Sequence, residues 1–233
     1  MGKTATPKNR LLSALPKAEF NTLAPKLERV PLVFNENIYV PGQVIRHVCF
    51  PDSGIISLLS RVNGKSLIEV GIVGNEGMVG LPVFLGVKTS ANVAVVQGSG
   101  TASRLAVEDF LESCTAGNKM PVVIQHFIHS LFTQVSQSAA CNRFHHIEER
   151  LARWLLMTGD RMHSNKFRIT QEFLSNMLGV RREGVSKAAG SLSQKDLISY
   201  VRGDMTINDR AGLEKAACEC YCIIKKEYDI AKN

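Results

Sequence analysis

The chain has 233 residues, 45% of them apolar, which is enough to bury a sizeable core and excludes global disorder. Its formal net charge is +7, a moderate basic excess that suits a polyanionic partner. No apolar run approaches the roughly 18 residues of a membrane span. The polar, basic start lacks the apolar stretch of a signal peptide, and the six cysteines are too scattered for a secreted disulfide framework. The expectation is a cytoplasmic protein with no membrane partner.

Residues 8–28 read as short helical pieces, with Leu11, Leu12, Leu15, Phe20, Leu23 and Leu27 apolar and Pro16 and Pro25 as breaks. From Val30 to Leu105 short β-rich runs alternate with Gly, Pro and Asn turns: Val44–Phe50, Ile55–Arg61, Leu67–Val73, Asn92–Val96 and Thr101–Leu105. This spacing predicts a small antiparallel barrel or sandwich. Asn63-Gly64 between two runs signals a hairpin.

After Val107 the texture turns helical. Pro121 opens a long segment reaching about His145, with Ile124, Phe127, Ile128, Leu131, Val135 and Ser138 at spacings of three and four. A helix of roughly 35 Å outruns one small barrel, so this stripe is read as the seam of a homodimer. The alternative is a helix packed only on its own barrel. A second helix follows from Ile147 to about Arg161, and Asp160 to Lys166 reads as a polar loop.

The decisive segment runs from Thr170 to Leu192. Thr170 is a good helix cap, and Glu172 stands in the first turn, where the helix dipole favours an anion. Phe173, Leu174, Met177 and Leu178 form the apolar face of one helix, and Gly179 can supply the positive φ that ends it. Val180, Val185, Ala188 and Leu192 continue the apolar face into a second helix, from about Arg181 to Leu192. Ser175 is small where the two must approach. The pattern is that of a helix-turn-helix.

Arg181, Arg182, Glu183, Ser186 and Lys187 then lie exposed near the start of the second helix, where base edges are read. Arginine can bond guanine at O6 and N7, and glutamate can accept from cytosine N4. Thr170 and Gln171 start the first helix beside them. Leu197–Val201 and Met205–Asn208 flank a turn containing Gly203 and form a two-stranded wing, with Arg202 at its tip placed for a phosphate. Eight basic residues against three acidic ones between positions 161 and 202 fit a double-stranded DNA partner.

Other reactive residues give little. On a final helix from about Arg210 to Lys226, Cys218 and Cys222 share a face and Cys220 points away, so they read as buried apolar thiols. Cys49 and Cys141 are the candidates for thiol sensing. His126, His129, His145 and His146 lack a third ligand. No nucleophile–base pair and no phosphate loop stands out, so no catalytic residue, no metal ligand and no cofactor is expected. The competing class is a small-molecule- or metal-binding β-barrel enzyme with an accessory helical domain. It would need several histidines in the strands, which hold only His47.

The chain resembles the Crp/Fnr family of bacterial transcription regulators along nearly its whole length. The matching stretches are Phe50-Pro51-Asp52-Ser53-Gly54, Gly74 through Gly80, the long helix, Ile147 through Leu155, and the winged helix-turn-helix. The resemblance implies an α+β fold: an N-terminal antiparallel, jelly-roll-like β-roll (1–120), a dimerisation helix (121–145) and a C-terminal winged helix-turn-helix domain (146–233). It implies DNA and RNA polymerase as partners, and half-sites with a TGA-like core. Arg182, Glu183 and Lys187 take the family's base-reading places; Gly184 stands where the family often has threonine.

Members that bind cyclic nucleotides follow the roll's glycine with a glutamate and later carry Arg-Ser/Thr-Ala. Here Leu81-Pro82 follows Gly80, and Thr89 holds the arginine's place. A buried phosphate without its bidentate arginine is poorly compensated, so cyclic AMP control is not expected and any small-molecule effector is left unidentified. The amino-terminal cysteine cluster of the iron–sulfur members is missing, since no cysteine precedes Cys49.

Overall fold

The computed structural model describes residues 7–63 and 66–230. The chain divides into two compact units. One holds the chain up to Leu58 together with Ile72–Leu131; the other holds Leu59–Gly71 and Phe132–Ile230.

In the first unit, helix α1 (Arg10–Ser13) forms because Asn9 caps it, accepting the amides of Leu11 and Leu12 at 3.0 and 3.3 Å. The same buried Asn9 donates to Pro51 and Gly77 carbonyls at 2.9 and 2.8 Å, which rivets the short helix to the sheet. Helix α2 (Lys17–Leu23) follows, and Pro25 tightens its exit. The strands are β1 (Glu28–Leu32), β2 (Asn37–Tyr39), β3 (His47–Val62), β4 (Ser66–Val73) and β5 (Val93–Ala106). They run in the order β1-β5-β3-β4, with β2 also on β5. The β1–β5 pairing is antiparallel and sets Glu28 opposite Arg104, where they form an ion pair at 2.6 Å.

Two pairs of expected short strands are each one long strand. Val44–Phe50 and Ile55–Arg61 fuse into β3, and the runs at 92–96 and 101–105 fuse into β5. At the break between the first pair, Gly54 takes a φ of +84° with the Gly98 carbonyl oxygen 2.5 Å from where a Cβ would stand. The strand bends there without ending. Of the expected hairpin turn, Asn63 has a φ of 50°, and Gly64 lies outside the described residues.

Helices α3 (Leu81–Phe84) and α4 (Val107–Ser113) complete the unit, with the start of α5 (Met120–Phe144). The core gathers Phe50, Ile56, Leu105, Phe110, Met120, Val123, Ile124 and Phe127. Each such side chain contributes about 1.5–3 kcal/mol on full burial.

The second unit contains the rest of α5, then α6 (Ile147–Met162), β6 (Lys166–Arg168), α7 (Gln171–Leu178), α8 (Arg182–Gln194), β7 (Ile198–Val201), β8 (Asp204–Ile207), α9 (Arg210–Ala216) and α10 (Cys220–Ile230). Helix α6 starts in a reciprocal cap: the Glu149 carboxylate accepts the His146 amide at 2.7 Å. It buries Leu151, Trp154 and Leu155. The wing has three strands in the order β6-β8-β7. The expected loop before Lys166 therefore ends in an edge strand, too short to show periodicity. The expected single final helix is two: the chain leaves α9 at Ala217 and re-enters helix only at Cys220.

Candidate nucleic-acid interface

Thr170 caps α7 as its residue type suggests, its hydroxyl accepting the Phe173 amide at 3.1 Å. Leu174, Ser175, Met177 and Leu178 are buried. Gly179 ends the helix with a φ of +61°, and the Val180 amide turns back to the Ser175 carbonyl at 3.0 Å. A side chain here would be strained by that backbone, and its Cβ would stand 2.7 Å from Ile68 Cδ1, whose tip would have to turn aside.

The last carbonyl of α7 has no partner within the helix. Buried Arg150 of α6 supplies one, donating to the Leu178 carbonyl and to Asn142 Oδ1 at 2.7 Å. A cation at a helix C-terminus also opposes the dipole. The turn of the motif is thus held from below by a guanidinium.

Arg181 occupies the cap position of α8 in extended backbone. Val185, Ala188, Ala189 and Leu192 face inward, which leaves Arg182, Glu183, Ser186 and Lys187 on the solvent side with Arg181. Gly184 packs toward α6: a Cβ would stand 3.1 Å from Ile147 Cδ1. The missing side chain at 184 is a matter of helix packing as much as of base contact. The far end of α8 is fixed by Lys195, which pairs with Glu148 of α6 at 2.5 Å. That ammonium holds the Glu148 carboxyl below its ordinary range.

In the wing, β7 and β8 pair antiparallel and close through Arg202 and Gly203, both at positive φ (51° and 91°). This is the turn whose twist matches a hairpin. Asparagine would adopt it more easily than arginine, so the cation at the tip is held against local backbone preference.

Three links join these parts into one exposed surface. Ser186 donates to Gln171 Oε1 at 3.0 Å, tying the two helices of the motif. The Ile169 amide donates to the Gly203 carbonyl at 2.7 Å, placing the wing tip beside Thr170. Tyr200 of the wing donates to the Ile169 carbonyl at 2.9 Å. Burial pushes its phenol up, and nearby Arg182 pulls the other way. Thr170, Gln171, Arg181, Arg182, Glu183, Ser186, Lys187 and Arg202 therefore line a continuous, largely cationic face.

The residues expected at a dimer seam divide. Ile124 and Phe127 belong to the β-rich core, with Phe127 pressed on Gly77, where no Cβ would fit. Ser138 is buried as well. Ile128, Leu131 and Val135 are half-buried, and Phe132 beside them is 70% exposed. These four share a stripe roughly 100° wide on α5.

The cysteines also sort differently from their sequence reading. Cys49 is sealed in the β core, and burial pushes its thiol up to about 12, which makes it unreactive. Cys218 lies in the loop before α10, not on one helix with Cys220 and Cys222. The break between α9 and α10 turns Cys218 and Cys220 toward Cys141 and His145, while Cys222 stays exposed. Cys218 and Cys220 are buried as expected and Cys222 is not, and the single helix that would hold Cys218 and Cys220 on opposite faces is broken between them.

A capped helix, a left-handed glycine turn, a second helix with a cationic outer face and a three-stranded wing define a winged helix-turn-helix. Residues 149–216 match the family model of the Crp-like helix-turn-helix domain. Among solved structures, FixK2 of Bradyrhizobium japonicum superposes with a TM-score of 0.70 at 12% identity, covering 82% of this chain and 98% of FixK2. A CRP-family transcriptional regulator of Thermus thermophilus gives 0.67 at 19% identity, covering 81% and 96%. The c-di-GMP-responsive global regulator CLP of Xanthomonas campestris gives 0.67 at 13% identity, covering 83% and 100%. No curated protein matches the sequence. At such identities the likeness is one of fold. The chain carries a Crp-like helix-turn-helix domain on the fold of the Crp/Fnr regulators, as the sequence resemblance implies. No described helix is long and apolar enough to cross a membrane.

Proposed function

We propose that this protein is a sequence-specific DNA-binding transcription regulator of the Crp/Fnr type, acting in the cytoplasm as a homodimer on a palindromic site. The observation that carries this reading is the continuous face of α7, α8 and the wing, with Arg181, Arg182, Glu183 and Lys187 outermost. Arg182, Glu183 and Lys187 read base edges in the major groove; Thr170, Gln171, Ser186 and Arg202 fix the protein on phosphates. In this reading residues 1–120 form a sensor-like domain, 121–145 the dimer helix and 146–233 the DNA-binding domain.

One recognition helix contacts too few bases for adequate specificity. Two of them about 34 Å apart read a symmetric site across one helical turn. The half-buried stripe of Ile128, Leu131 and Val135, with exposed Phe132 beside it, supplies a self-complementary seam. Cyclic AMP is not the effector. Leu81 and Pro82 begin α3 where a ribose-binding carboxylate would be needed, and Thr89 stands in place of a phosphate-binding arginine. The β-rich unit does offer a cavity of about 410 Å³, lined by Tyr39, Arg46, His47, Cys49 and Arg104 among others, for an unidentified small molecule. RNA polymerase is the partner through which such a regulator acts.

Selection from a random duplex library followed by gel shift tests the reading. The expected result is enrichment of a two-fold symmetric site bound with a steep salt dependence. Arg182→Ala should cost about 1–3 kcal/mol and relax preference at one position of each half-site. Failure to prefer any DNA over any other would overturn it.

A further inference from the structure

Four side chains meet inside the helical unit, away from the DNA-facing surface. Cys141 and His145 lie one turn apart at the end of α5. Cys218 sits in the loop after α9, and Cys220 opens α10. The ligand atoms of all four fall within 4.8 Å of one another. Cys141 Sγ is 3.4 Å from Cys218 Sγ, and Cys220 Sγ is 3.7 Å from His145 Nδ1. A tetrahedral zinc ion, with its usual bond lengths to sulfur and nitrogen, would separate such ligands by roughly 3.5–3.8 Å. We propose that Cys141, His145, Cys218 and Cys220 form a structural site for one thiophilic divalent cation, zinc above all.

The surroundings fit a metal site rather than a chance cluster. The three cysteines are buried, which suits a closed four-ligand structural site. His145 turns its other ring nitrogen, Nε2, to Glu219 Oε1 at 3.3 Å. A carboxylate in that position fixes the tautomer that leaves Nδ1 free to coordinate. Three thiolates and a divalent ion leave one negative charge in a dry interior. Buried Arg153, whose Nε has no hydrogen-bond partner, lies close enough to act on all three thiols and balances it. Bound zinc would staple the loop before α10 to the end of the long helix. The short separations suit a single ion; a polynuclear iron–sulfur cluster would hold its cysteines further apart.

The test uses the reduced, chelator-treated full chain titrated with cobalt(II), then zinc(II). The expected result is one cobalt per chain with the intense visible bands of a tetrahedral thiolate site, bleached by one equivalent of zinc. Cys218→Ser and His145→Ala should abolish stoichiometric binding, and Glu219→Gln should weaken it about 10-fold or more. Cys222→Ser, outside the cluster, should bind as the parent does. The idea fails if the reduced parent chain binds neither metal stoichiometrically. It also fails if the chain purifies anaerobically with iron and acid-labile sulfide, or with a Cys141–Cys218 disulfide. No readout involves DNA, so this inference and the proposed function stand or fall separately.

Discussion

The two units are held together by different chemistry. The β-rich unit buries aliphatic and aromatic side chains, and the described polar groups buried with them are uncharged apart from Glu76. The helical unit buries Arg150, Arg153 and Arg161 beside Thr158, Ser175 and three thiols. Apolar burial is non-directional, so the first unit tolerates shape-conserving exchange. Bonds to guanidinium and sulfur are directional, and in the second unit they fix where α7 ends and where α10 begins. Directional bonding is concentrated in the unit that carries the helix-turn-helix.

The largest expected effect separates the two sides of α5. Phe127→Ala should cost about 3–5 kcal/mol, since it empties a core position. Its thermal unfolding should fall by the same amount at every protein concentration. Leu131→Glu, on the half-buried stripe, should leave a folded chain that scatters light as a monomer and has lost palindrome binding. A parent that is monomeric at micromolar concentration while binding a palindrome tightly would assign the whole stripe to the protein's own packing.

Gly179→Ala comes next. An L-residue in left-handed backbone costs about 1–2 kcal/mol, whereas the close contact is with the far end of the Ile68 side chain, which can turn aside at little cost. Chemical denaturation should show a loss of about 1–2 kcal/mol. DNA binding should weaken further if the turn sets the angle between α7 and α8.

How much of this can be read from the sequence follows the same division. The capped helix, the left-handed glycine and the cationic outer face of α8 are legible because each is local: Thr170, Gly179 and the 181–187 run declare themselves within one or two turns. The stripe on α5 is legible as apolar. Which part of it the chain covers itself is not, because Ile124 and Phe127 find their partners far away in sequence, at Gly77 and in the strands. The cysteine cluster escapes for a sharper reason. Periodicity assumes one unbroken helix from 210 to 226, and the break at 217–219 carries no proline or glycine to announce it. The pairing of His145 with Glu219 is the available hint, and it needs the fold to be seen.

Arg202→Asn gives a smaller and cleaner effect at the wing tip. Asparagine accepts positive φ, so stability should hold or rise slightly. The slope of log affinity against log salt should fall by about one unit, equally for all sequences. A loss confined to one base position would instead make Arg202 a base reader.

Smallest is the Glu148–Lys195 pair. The Glu148 carboxyl is held below its ordinary value by the ammonium, so its contribution is present above the unfolded pKa and is lost as pH falls through the folded one. Lys195 is largely exposed, so solvent screening keeps the contribution under about 1 kcal/mol. Glu148→Gln should be slightly less stable than the parent near neutral pH, and the difference should vanish once the pH falls below the folded pKa of Glu148.

The hairpin tip from Leu59 to Gly71 belongs with the helical unit although its strands rise from the β sheet. There Ile68 fills the space against Gly179, and Glu69 accepts the indole N–H of buried Trp154 at 2.8 Å. The helical unit is therefore not a contiguous cassette. A gene fusion or domain exchange made after residue 131 would carry the recognition helix but leave behind two residues that complete its support, with an indole stranded and a groove opened beside the turn. Any exchange of the β-rich unit must move this loop as well, or supply a replacement that fits.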